Sequence, residues 1–83
     1  MDNLETLLVE HKRLCGIRET LRRRKTSCGI KKNEEKDHAK FISLNVELTA
    51  LDNLLVIVNE KIDDITQKAV MCKQLFIAKE LGI

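Results

Sequence analysis

His11 and Cys15 stand four residues apart, so a helix through them sets an imidazole and a thiol on one face. That pair is half of a zinc site, which needs two more ligands. Cys28 and His38 lie roughly 20 Å further along by helical rise. Cys72 falls in a distal segment that only a neighbouring subunit could bring near. No metal or other cofactor is therefore expected. His11 reads as a polar residue in an apolar stripe, where it helps to fix register. The cysteines read as small hydrophobes.

Catalytic chemistry finds no support in the residue types. Ser27 lies near a helix end, and Ser43 has no histidine one turn away. Adjacent carboxylates such as Asp63 and Asp64 point in different directions on a helix. A non-enzymatic protein is the expectation.

Charge is the stronger signal. Between residues 12 and 32 the chain carries Lys12, Arg13, Arg18, Arg22, Arg23, Arg24, Lys25, Lys31 and Lys32 against the single acid Glu19. That segment is +8 and the rest of the chain −6, within a net charge of +2. A helix end of this sign complements the helix dipole, but three consecutive arginines exceed what the dipole needs. The expected ligand-binding set is Arg18, Arg22, Arg23, Arg24, Lys25, Lys31 and Lys32. Its chemistry suits a phosphate-bearing ligand, either nucleic acid or a nucleotide signal that the protein would sequester. An acidic protein partner is also compatible. Glu34, Glu35 and Asp37 could instead serve as local counter-charges. The two aromatic residues, Phe41 and Phe76, lie on an apolar seam, so base stacking is a poor fit. Binding to nucleic acid would be backbone-directed and salt-sensitive.

Two helices must position these groups. The chain has 83 residues, 43% of them hydrophobic and 34% charged, with no proline. This is the composition of long helices. Asp2 and Glu5 have capping-box spacing, and Leu4, Leu7, Leu8, Leu14, Cys15, Ile17 and Leu21 repeat with a helical period. Gly16 interrupts the stripe, as a bend or a close approach. Gly29 suits a helix stop, and Asn33 suits the next N-cap. The spacing predicts a first helix over about 3–28, a turn over 29–33 and a second helix over about 34–81.

The second helix carries the clearest pattern. Phe41, Leu44, Leu48, Leu51, Leu55, Val58, Ile62, Ile65, Ala69, Cys72 and Phe76 alternate steps of three and four without a slip. That is a coiled-coil repeat. A short connection makes the two helices antiparallel neighbours. The predicted fold is an all-α, antiparallel helical hairpin, coiled-coil-like, in a single domain. Helix 1 should run out when helix 2 reaches about residue 60, leaving an apolar overhang. A homo-oligomeric bundle of at least two chains would cover it through Leu55, Val58, Ile62, Ile65, Ala69, Cys72 and Phe76. Two alternatives remain: a break near Asp63–Asp64 with a fold-back third helix, or an inhibitor or adaptor module that adds its apolar helix to another protein.

The odd number of cysteines in no framework spacing points to free thiols in a reducing compartment. The early acids exclude signal-peptide character, and no run of consecutive apolar residues reaches membrane-spanning length. A cytoplasmic protein without membrane contact is the expectation.

Overall fold

A computed structural model describes residues 3–83. Two helices make up the described chain, α1 (Leu4–Glu34) and α2 (His38–Leu81). Among the described residues there is no strand. The particle measures 67 × 18 × 15 Å, with a radius of gyration of 19.1 Å. A compact chain of this length would have about 12 Å.

The caps explain where the helices start. Asn3 is the N-cap of α1, its Oδ1 accepting from the Thr6 amide at 2.8 Å. Asp2 of the expected capping box lies outside the described residues. Asp37 caps α2, its carboxylate accepting from the Lys40 amide at 3.1 Å. Gly82 ends α2 with φ 70, and the Ile83 amide reaches back to the Ala78 carbonyl at 2.9 Å. That left-handed stop is a glycine's natural place.

The turn lies later than the sequence suggested. The expected stop at Gly29 and the N-cap at Asn33 are both corrected, because α1 runs through both residues. Residues 35–37 make the connection instead of 29–33. Glu35 organises it: its Oε1 accepts from the amides of Lys36 and Asp37 at 3.1 and 3.0 Å. A helical glycine costs about 1 kcal/mol. On the longer α1, Cys28 is buried against α2 at 4% exposure, and Lys32, one of the six added residues, sits over the Phe41 ring. A Cβ at Gly29 would meet nothing within 4 Å. Gly29→Ala should therefore stabilise the chain by about 0.5–1 kcal/mol, measured by chemical denaturation. A loss of stability would mean that another surface approaches this position.

The heptad seam of α2 faces α1. Cross-helix partners descend along α1 as they climb along α2: Lys32 with Phe41, Cys28 with Leu44, Arg24 with Glu47, Arg18 with Asn59. Leu14 packs with Val58 and Ile62, and Cys15, Leu21 and Ile65 lie against that cluster. The buried apolar residues are Leu7, Leu14, Cys28, Leu51, Val58 and Ile62, and none falls below 2% exposure.

α2 passes through Asp63–Asp64 unbroken. Its 44 residues span about 66 Å, which matches the long dimension of the particle, so the fold-back third helix does not form. The 31 residues of α1 span about 46 Å. α1 accompanies α2 as far as Lys68, where Thr6, Leu7 and Glu10 share a groove with Ile65 and Lys68. The uncovered segment thus starts near residue 70, not 61, because the later turn lengthens α1. Val70, Met71, Leu75, Phe76, Ile77 and Leu81 are all exposed there.

By length and composition α2 is apolar enough to cross a membrane, with an 18-residue stretch of mean hydropathy 1.6. Counting consecutive apolar residues overlooked it because scattered polar residues interrupt the run.

Candidate functional site

The basic residues of α1 do not form one surface. Arg24 donates through Nε and Nη2 to Glu47 Oε1 at 3.2 and 3.0 Å. Lys25 reaches Asp52 at 2.6 Å. Arg23 pairs with Glu19 on its own helix at 3.2 Å, and Arg13 with Glu10. Arg18 crosses to Asn59 Oδ1 at 3.4 Å. Lys32 covers Phe41. Among the described residues Arg22 and Lys31 form no ion pair.

Helical geometry separates the set further. Arg22 and Lys25 line a shallow groove with Thr26, Gly29, Leu48 and Leu55 on one flank of the helix pair. Lys31 lines another groove, shared with Glu34, Glu35 and Lys40. Arg23 and Lys31 also border a depression on α1 itself, beside Ser27 and Ile30. The segment charge of +8 is thus offset in part by Glu47 and Asp52 of α2 and divided among several faces. Sequence reasoning missed those two acids as partners because their register against α1 depends on the turn position. Exposed ion pairs of this kind add little stability and yield to a competing anion.

The Glu47 carboxylate is the most connected acid of this region. It accepts from Arg24 and, at Oε2, from the Cys28 thiol at 3.6 Å. The Arg24 hydrogen bond, then that of Cys28, holds its pKa below the ordinary 4.5. Desolvation first, and the Glu47 contact second, raise that of the Cys28 thiol. The Arg13 hydrogen bond likewise lowers Glu10. A lowered carboxylate pKa means that the folded chain holds the charged form more strongly than the unfolded chain. The stabilisation is present above about pH 4.5 and is lost as pH falls through the lowered values. The raised Cys28 value acts in the opposite sense. Its contribution is full below the ordinary 9.0 and fades as pH rises through the folded value.

His11 and Cys15 do meet, with Cys15 Sγ 3.7 Å from His11 Nδ1. Arg18 Nη2 also approaches that sulfur, at 3.9 Å. Among the described residues no third His, Cys, Asp or Glu joins them to form a metal-binding group. Cys28 lies instead under the Leu44 carbonyl, to which its thiol donates at 3.4 Å.

The residues expected at an oligomer interface divide in two. Val58, Ile62 and Ile65 belong to the cluster around Leu14 of the same chain. In this chain that part of the heptad seam meets α1. Leu55, Ala69 and Cys72 are half-buried, whereas Phe76 is exposed. The exposed apolar surface includes Phe76 and also Val46, Leu54, Ile57, Met71 and Leu75. No protein-family model matches this chain, and neither a curated protein nor a solved structure does.

Proposed function

We propose that this chain is a non-enzymatic, antiparallel helical hairpin that functions as a self-assembling binding module in the cytoplasm. One observation carries the reading: apolar surface is left open on a scale that a lone chain of this size does not sustain. The chain exposes 6667 Å², whereas a compact protein of 9.6 kDa exposes about 5,100 Å². The excess of about 1,600 Å² per chain is about twice what each partner buries in a standard-size interface. Among the described residues sixteen large hydrophobic residues are exposed, and six apolar residues are buried. Two helices with so small a core are marginal alone, and association supplies the missing burial. The free thiols Cys15, Cys28 and Cys72 suit a reducing compartment.

A second reading adds a phosphate-bearing ligand, nucleic acid or a nucleotide, at the basic end. The groove lined by Arg22, Lys25, Thr26 and Gly29 favours it, since Arg22 forms no ion pair among the described residues and a phosphate could compete with Asp52 for Lys25. Native mass spectrometry of the purified protein tests both readings. The expected result is a mass of at least twice 9.6 kDa. A co-purifying nucleotide or oligonucleotide would support the second reading, and an oligomer free of such a ligand would leave assembly alone. A clean monomer would overturn the first.

A further inference from the structure

A thiol, an imidazole and a guanidinium meet on one face of α1. His11 stands four residues before Cys15 and Arg18 three residues after it, so successive turns bring them together. The Cys15 sulfur lies 3.7 Å from His11 Nδ1 and 3.9 Å from Arg18 Nη2. Arg18 is also held from α2, donating through Nη1 to Asn59 Oδ1 at 3.4 Å. The Cys15 thiol is half-buried, which leaves it open to a small reagent. Arg22, one turn further along the same face, forms no ion pair among the described residues and lines the next groove with Lys25. A base for the thiol proton and cations for an anion therefore stand side by side. The other thiols lack this company. Cys28 is buried, donates to the Leu44 carbonyl and contacts the Glu47 carboxylate. Desolvation, and then Glu47, raise its pKa, which keeps it an inert thiol. Cys72 is half-buried like Cys15, but its neighbours one turn away on α2 are Lys68, Ala69, Leu75 and Phe76, and Lys68 is engaged by Asp64 at 3.1 Å.

From this placement we infer that Cys15 is a site of thiol–disulfide exchange selective for anionic low-molecular-weight disulfides. The Cys15 thiol proton passes to His11 Nδ1, which acts as the base. The thiolate attacks one sulfur of the reagent. The reagent's S–S bond breaks as a new S–S bond to Cys15 forms. The second half leaves as a thiolate and takes the proton back from His11. One thiol and one disulfide enter, and one thiol and one mixed disulfide leave, so the incoming disulfide is the only oxidant required. Arg18 faces the thiolate, and Arg18 and Arg22 together receive the carboxylates of the reagent through charge-assisted hydrogen bonds. The inference stands whether or not the chain self-assembles.

The test treats the parent chain with oxidised glutathione and, separately, with cystamine, a disulfide that carries amines instead of carboxylates. Peptide mapping by mass spectrometry gives the rate of mixed-disulfide formation at each cysteine. The ratio of the glutathione rate to the cystamine rate should be about tenfold higher at Cys15 than at Cys72. Cys72 serves as the control because its half-burial matches that of Cys15. Arg18→Gln should bring the ratio at Cys15 down toward that at Cys72, and His11→Gln should slow both reagents alike at Cys15. Equal ratios at the two cysteines of the parent chain overturn the inference, and this comparison needs no variant to fold. A helical Arg18→Gln chain that keeps the parent's ratio, or a helical His11→Gln chain that keeps its rates, overturns it as well.

Discussion

Ile62→Asp should unfold the chain at 25 °C. Ile62 is 6% exposed and lies with Leu14 and Val58 at the centre of the core. Replacing it removes about 2–5 kcal/mol of apolar packing and adds the cost of an unpaired buried carboxylate. A core of six buried side chains does not supply more than about 3–5 kcal/mol in a chain of this size. Far-UV circular dichroism should show helix content falling to a small fraction of the parent's. A cooperative melt within a few degrees of the parent would contradict the packing of α2 on α1. This substitution tests the fold and not the assembly, because the side chain faces α1.

Met71→Asp combined with Leu75→Asp should abolish self-association and lower the thermal midpoint toward that of the lone helix pair, although neither side chain belongs to the Leu14–Val58–Ile62 cluster. Both residues lie beyond the reach of α1, at 61% and 69% exposure, so neither stabilises the lone hairpin. Burying two such side chains in an interface contributes about 4 kcal/mol, a factor of roughly a thousand in the dissociation constant. Sedimentation velocity should show the loss directly. Association unchanged by this pair would place the contact away from the overhang.

The helical repeat of α2 was legible because burial imposes it. From Phe41 to Cys72 every member of the heptad seam is buried or half-buried, since a stripe with steps of three and four is what one neighbouring helix covers. The turn was not legible. Gly29 and Asn33 carry local stop and start signals, but Glu35 and Asp37 carry the hydrogen bonds that close the connection. Local propensity lost there to the packing of Cys28 and Lys32 on α2. That shift of six residues propagated. It moved the start of the overhang, and it hid the pairing of Arg24 with Glu47 and of Lys25 with Asp52.

The candidate site was legible in charge but not in arrangement. A count along one helix finds the cations, yet it cannot say which acids of the other helix stand opposite them. The same limit applies to the apolar surface. The residues with the best heptad, Val58 and Ile62, are satisfied by α1. The residues left exposed, Ile57, Met71 and Leu75, sit on a weaker second stripe interrupted by Lys61, Asp64 and Lys68. A second stripe shows itself only when the first has been assigned a partner.

The central claim is that this helix pair owes its stability to association. Thermal unfolding of the parent chain at 1 and at 100 µM tests it most directly. If folding and association are coupled, the midpoint rises with concentration by mass action, and the account predicts an increase of several degrees across that range. A midpoint that stays the same at both concentrations, in a species of 9.6 kDa, would contradict it.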